Sequence, residues 1–301
     1  MDRRAFLLSG AASLAAATPR QVKLHVFSKH LQFLKDEALA EAAAGIGFDG
    51  IDLTVRAAGH VEPERVGEDL PRLVKIIRKR GLETPMVTAG IVDADTPHAE
   101  AIVKTLADLD IRYYRWGGFR YSKNAPVAAQ LEALKPRVAK LESLNRKYGV
   151  SAMYHTHSGI GQVGASIWDI HVVLKDFDPA AVGVNYDIGH ATIEGGFGGW
   201  INSFGITGKH LRGVALKDFV WEKRAESDWR PKWAPIGEGM VRFAEFFRML
   251  DQAKFRGPLQ VHYEYDLGGA DSGKTTITIP KEKVFAAMKS DLVKLRSYVK
   301  A

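Results

Sequence analysis

The sequence predicts an α/β fold: a single barrel of eight parallel strands wrapped by helices. Three observations predict it. Short apolar runs suited to buried strands alternate with longer stretches of helical period, eight times over. The first run is followed by Ser28-Lys29-His30-Leu31-Gln32, without the glycine-rich turn that an open dinucleotide-binding sheet carries. The last four runs each end in His, Asp, Lys or Glu, and such strand ends repeated around one face build the active site of a parallel barrel.

The elements follow in order. Residues 1–20 read as a leader. Arg3-Arg4, then Phe6-Leu7-Leu8 and a small apolar stretch, resemble a twin-arginine signal, with Ala15-Ala16-Ala17 as the cleavage site. The segment is shorter than the ~20 apolar residues of a membrane span. A retained anchor or a frayed helix is the alternative. The expectation is an exported, periplasmic protein whose residues 21–301 form the barrel, with no membrane span after signal removal. Strands are expected at 22–27, 50–55, 84–91 and 112–116. Leu70, Leu73, Val74, Ile76 and Ile77 mark a helix that stops at Gly81. Thr96 suits an N-cap with Pro97 at the first helical position. A helix from Asn124 to Tyr148 is expected to split or kink at Pro136. Four further strands fall at 151–157 (SAMYHTH), 182–190 (VGVNYDIGH), 211–218 (LRGVALKD) and 258–265 (PLQVHYEY). Phe243, Phe246, Phe247 and Leu250 define one face of a helix over 241–255, and a last helix covers 281–299.

Composition sets outer limits. At 301 residues the chain exceeds the ~250 that a single barrel needs. It has no cysteine, which excludes disulfides, zinc–thiolate sites and thiol nucleophiles. The formal charge of +7 is spread among acids rather than gathered in a basic block. That pattern reads as a solvated surface, not a nucleic-acid track, and leaves an anionic substrate open. Nothing in the sequence specifies an oligomeric state.

Strand side chains two apart share a face. His155 and His157 therefore point together, as do Gln260, His262 and Glu264, and Asp52, Thr54 and Arg56. Converging with Asp187, they would line a site for a divalent metal such as Mn²⁺, Zn²⁺, Co²⁺ or Mg²⁺. The plainer alternative is that some of these histidines are satisfied core or surface residues. In Asp187-Ile188-Gly189-His190, Asp187 binds metal or caps the next helix, and His190 binds metal or substrate. Lys217 stabilises an enolate or acts as a base, or else it forms a salt bridge to a metal-bound carboxylate. The loop 219–239 carries Trp221, Trp229 and Trp233, rings that stack on sugars or simply pack the loop down. The glycines of 195–200 suit a lid. Arg56 and His60 offer hydroxyl or anion contacts from the loop 56–64, which reads equally as a solvated turn.

The stretches GFDGIDLTVR, YHTHSG, YDIGHATIEGG, ALKDF, IGEGM and HYEYDLGGA resemble the xylose isomerase-like TIM barrel superfamily of sugar isomerases, epimerases and related endonucleases. The match is to an exported sugar phosphate isomerase/epimerase branch. The resemblance implies a metal held by Glu, Asp, His and Glu from four strand ends. Asp187 and Glu264 match two of these. His155 stands where the first Glu is expected, and Ala215 stands where the His is expected. His190 matches a substrate-contacting histidine. The loss of the symmetric glutamate pair puts two-base epimerisation in doubt. The endonuclease reading needs three metals and conflicts with export.

The expectation is a metal-dependent isomerase or epimerase moving a proton α to a carbonyl of a small carbohydrate, with no nucleic-acid partner. His155, Asp187 and Glu264 hold the metal, with His157 or His262 as additions. Glu264, Lys217, His190 and His155 carry the proton chemistry. The runners-up are a 3-keto-glycoside lyase or hydratase on the same barrel, and a carbohydrate-binding protein with a degenerate metal site.

Overall fold

Eight parallel strands close on one another in the computed structural model, which describes residues 22–299. They are β1 (Leu24–Phe27), β2 (Gly50–Val55), β3 (Met86–Ala89), β4 (Tyr113–Trp116), β5 (Ser151–His155), β6 (Val182–Asp187), β7 (Leu211–Leu216) and β10 (Leu259–Val261). Between the last two stands an antiparallel hairpin, β8 (Asp218–Ala225) and β9 (Asp228–Ala234). The barrel closes where β1 pairs with β10, Leu24 opposite Leu259 and Val26 opposite Val261. Each strand lies beside its predecessor, so all C-terminal ends gather at one mouth.

The helices pack outside this wall. They are α1 (Asp36–Ile46), α2 (Val66–Lys79), α3 (Ala99–Asp108), α4 (Val127–Tyr148), α5 (Trp168–Leu174), α6 (Ile188–Gly195), α7 (Gly199–Thr207), α8 (Phe243–Gln252) and α9 (Lys281–Val299). The expected faces are the buried ones. Leu70, Leu73, Val74 and Ile77 bury from α2. Phe243, Phe246, Phe247 and Leu250 bury from α8. Gly81, at φ +76, follows the end of α2 as a glycine C-cap should.

Several boundaries differ from expectation. The third strand is Met86–Ala89 rather than 84–91, because Pro85 and Gly90 bracket it. Thr96 does not cap α3. Its hydroxyl accepts the N–H groups of Val92 and Asp93, so it closes the preceding loop, and the helix begins after His98. The long helix starts at Val127, after Pro126, and runs through Pro136 as one element. Pro136 is exposed, so water can satisfy the carbonyl that its ring leaves without a donor. The last four barrel strands end earlier than expected: His155 and Asp187 close β5 and β6, while His157, His190, Lys217, His262 and Glu264 fall in the segments that follow. The expected aromatic loop is mostly the β8–β9 hairpin. The leader, residues 1–20, lies outside the described residues. No helix of the described residues is long and apolar enough to cross a membrane.

Candidate active site

Asp187 is the last residue of β6 and also the N-cap of α6. Its Oδ1 accepts the backbone N–H of His190 at 3.0 Å. Capping therefore uses one carboxylate oxygen. The other, Oδ2, lies 3.3 Å from Lys217 Nζ and 3.5 Å from His155 Nε2. The capping reading of the motif is realised on Oδ1, while Oδ2 faces the buried polar cluster. Glycine is required next to it. A Cβ on Gly189 would stand 2.8 Å from Lys217 Cγ and 2.9 Å from its carbonyl oxygen.

Lys217 leaves β7 with its ammonium almost fully buried. It meets Glu264 Oε2 at 3.2 Å, His190 Nε2 at 2.7 Å and the face of Trp233 at 4.2 Å. His190 Nδ1 in turn lies 2.7 Å from Ser158 Oγ. A continuous chain of polar groups thus runs Glu264–Lys217–His190–Ser158. An ammonium donates to Nε2, which places the imidazole proton on Nδ1, facing Ser158. Burial drives His190 well below the ordinary histidine range, and Lys217 adds to it, so the ring is neutral. Burial tends to raise Glu264, but Lys217 and Lys29 outweigh it and hold the carboxyl down to about 2. Burial raises Asp187, against Lys217.

His155, Asp187 and His262 form a group whose ligand atoms lie within 4.8 Å of one another, and the atoms these side chains leave over are His155 Nε2, Asp187 Oδ2 and His262 Nδ1. All three are buried, and none has a hydrogen-bond partner among the described residues. Their other polar atoms are engaged. His262 Nε2 is 3.2 Å from Gln260 Oε1, so it carries the proton and leaves the Nδ1 lone pair free. His155 Nδ1 faces the Asn185 amide at 3.2 Å, and an amide oxygen turned to it would leave Nε2 free in the same way. Burial pushes both imidazoles well below the ordinary range, keeping them in the neutral form that binds metal. A cation ~2.1 Å from each ligand sets neighbouring ligand atoms about 3.4 Å apart, close to the 3.5 Å between His155 and Asp187. The residues fit a divalent metal. Glu264 Oε1, 3.8 Å from His262 Nδ1, is placed to complete the set. A second group, His155, His157 and His190, is as tight. It fits less well, because both ring nitrogens of His190 are already engaged.

Ala215 pairs in register with Asp187 on one side and Gln260 on the other. It therefore sits between the strand that ends in Asp187 and the strand that His262 follows.

The other sequence candidates divide. His157 stacks against His190 with centroids 4.0 Å apart, and its pKa falls to about 4 by burial. Trp233 meets His190 edge-on at 5.1 Å. Cross-strand pairs Phe219–Trp233, Trp221–Pro231 and Lys223–Trp229 put all three tryptophans on one hairpin face. Only Trp233 reaches the buried cluster. Trp221 and Trp229 are exposed, 38% and 54%. His60 is committed elsewhere, to Thr54 Oγ1 at 3.0 Å and the Leu34 carbonyl at 3.2 Å. Arg56 lines the mouth beside His155 and His157. Sequence reasoning passed over Ser158, although it stands inside the YHTHSG stretch. It also passed over Arg115, a charged residue at an inward-looking position of β4.

The base of the hairpin is pinned by Asp218, whose carboxylate accepts the N–H groups of Phe219, Gly237, Gly239 and Val241 at 2.9–3.0 Å. A Cβ on Gly239 would stand 2.1 Å from Asp218 Oδ1, which accounts for the second glycine of IGEGM. Asp218 thus holds Trp233 over Lys217.

The model of the xylose isomerase-like TIM barrel family matches residues 40–284. The chain belongs to that family. Similar solved structures include 3-keto-D-glucoside 4-epimerase from E. coli, 14% identical, covering 92% of this chain and 100% of the other, at a TM-score of 0.64. The probable 3-DHS dehydratase of Bacillus anthracis is 13% identical, with coverage of 91% and 98% and a TM-score of 0.65. The IOLI protein with a binding zinc atom is 13% identical, with coverage of 92% and 98% and a TM-score of 0.70. At these identities the likeness establishes the fold. No curated protein sequence matches.

Proposed function

We propose that this chain is a metal-dependent enzyme that moves a proton α to the carbonyl of a carbohydrate, as sugar isomerases and epimerases do. One observation carries the reading. Ligand atoms of three neutral or acidic residues converge without a hydrogen bond among the described residues, Asp187 being ion-paired to Lys217, directly beside the polar chain from Glu264 to Ser158. His155, Asp187 and His262 would hold the cation, with Glu264 as a further ligand. A divalent cation supplies Lewis acidity that makes a proton beside a carbonyl easier to remove.

The remaining chemistry falls to the chain. Glu264, kept ionised by two lysines, is the carboxylate base within reach of the metal cluster. Lys217 holds Glu264 and Asp187 toward each other and presents an ammonium to oxygen that gains negative charge. Neutral His190 passes a proton between Lys217 and Ser158. Trp233 covers the ammonium and excludes water from it. With His155 in place of a second glutamate, a single carboxylate does the proton transfer, which suits isomerisation better than two-face epimerisation.

The same arrangement supports a second reading. An ammonium next to the base can protonate a leaving oxygen, so β-elimination from a keto-sugar, or its reversal, uses the same groups. The probable dehydratase among the structural neighbours keeps this reading alive.

The test is α-proton exchange in D₂O by the metal-loaded protein on a panel of keto-sugars. Deuterium gained with the carbon skeleton and hydroxyls intact supports the isomerase. Deuterium with loss of water or aglycone supports the lyase. Tight sugar binding with no exchange overturns both and leaves a binding protein.

A further inference from the structure

Two arginines at the barrel mouth have no acid within ion-pair distance among the described residues. Arg56 follows β2 and Arg115 lies in β4, and both set their guanidinium groups against the ring of Phe27, at 5.9 and 5.6 Å from its centroid. Neither guanidinium is hydrogen-bonded or ion-paired to any described residue. Asp52 is the acid that faces them, but its carboxyl accepts the Thr88 hydroxyl on both oxygens, and burial raises it to about 7. Arg115 and Arg56 pull against that rise, so Asp52 is only partly ionised at neutral pH and offsets the two guanidinium charges in part. Asp187 and Glu264 are drawn to Lys217. Burial brings the Arg115 guanidinium down to about 10, with Asp52 pulling it up and Arg56 beside it adding repulsion, so it stays charged.

Two partly desolvated like charges side by side are costly unless something negative joins them. Space for it exists. Both arginines line a cavity of about 310 Å³ together with Thr88, Trp116, His155 and His157. Of those linings, His155 also belongs to the proposed metal group with Asp187 and His262, while His157 belongs to the neighbouring group with His155 and His190. The cavity and the cluster are therefore continuous, and one small molecule can touch both.

We infer that Arg56 and Arg115 form an oxyanion subsite, binding a carboxylate or phosphate carried by the substrate whose carbonyl lies at the metal cluster. The inference rests on the proposed reading of the mouth as the reaction site, and it narrows the substrate class to anionic sugar derivatives. Guanidinium forks match both groups bidentately, and Phe27 holds the planes in place.

Calorimetric titration of the metal-loaded protein with D-glucuronate, D-glucose 6-phosphate and D-glucose, at constant ionic strength, tests it. The expected result is that one anion binds at least about 10-fold tighter than D-glucose, and which anion it is identifies the group. Arg115→Met should erase that preference while leaving D-glucose affinity and metal content unchanged. Arg115→Lys should keep part of it. Should Arg115→Met fail to fold, Arg56→Met gives the same reading. Equal affinity for all three compounds, no measurable binding of either anion, or a preference that survives both methionine variants overturns the inference. Its failure is separable from that of the proposed reaction. Exchange on a neutral keto-sugar without anion preference removes the subsite alone, whereas anion preference without exchange removes the reaction alone.

Discussion

Lys217 Nζ and His190 Nε2 lie 2.7 Å apart, from consecutive strand ends, with the ammonium also 3.2–3.3 Å from two carboxylates. A buried cation shared by an imidazole, Asp187 and Glu264 is a structural centre as well as a chemical one. Removing it leaves two carboxylates facing each other without compensation. Lys217→Met is expected to lose about 3–5 kcal/mol in a urea melt and α-proton exchange by a factor of 100 or more. Full exchange activity in a folded Lys217→Met variant would rule Lys217 out of the proton path.

Metal content separates the ligands from their neighbours. His262→Ala, Asp187→Ala and His155→Ala are expected to purify without stoichiometric divalent metal, whereas His190→Ala keeps it. Elemental analysis of chelator-free protein measures this directly. Metal retained in His262→Ala would remove His262 from the ligand set.

The position of the imidazole can also be tested. Ala215 stands in register with Asp187 and Gln260, so a histidine at 215 would rise from the strand between them. The double variant His262→Ala with Ala215→His is expected to recover metal that His262→Ala lacks. A folded double variant that stays metal-free, by thermal melt and elemental analysis, would show that the two positions are not equivalent.

The hairpin depends on Asp218. Asp218→Ala strips four backbone N–H groups of their acceptor, at a cost of about 3 kcal/mol or more. Limited proteolysis is expected to cut within 219–239 in this variant before wild type. The exchange rate should fall as Trp233 loses its place over Lys217. Protease resistance equal to wild type would remove the pinning role.

His60 makes stability fall with acid. Burial lowers its pKa from 6.5 to about 4, and both ring nitrogens are engaged. A histidine kept neutral in the fold contributes fully above pH 6.5, where the unfolded chain is neutral too. The contribution is lost as pH falls toward 4, because only the unfolded chain takes up the proton. His60→Asn should flatten that part of the stability–pH curve, at the expense of stability at neutral pH. An unchanged slope between pH 6.5 and 4 in urea melts would contradict it.

Much of the site was legible in the sequence because strand alternation is local. Period two puts His155 with His157, and His262 with Glu264, before any fold is known. Less legible was the division of labour. His262 and Gln260 share a face in any reading, but only their 3.2 Å contact decides that His262 offers Nδ1. His60 and Trp233 stood level as sequence candidates. Loop packing sent one to Thr54 and the other onto Lys217.

The sequence by itself determined the fold class, the order of the strands and the set of polar residues at their ends. These follow from short-range periodicity, turn residues and alternation along single strands. Tertiary structure alone decided which polar atoms are left without partners. It gathers Lys217 between two acids and leaves Arg56 and Arg115 without an acid in ion-pair distance among the described residues. Those outcomes depend on closing β1 against β10, which joins residues more than two hundred positions apart, and no local pattern carries that information.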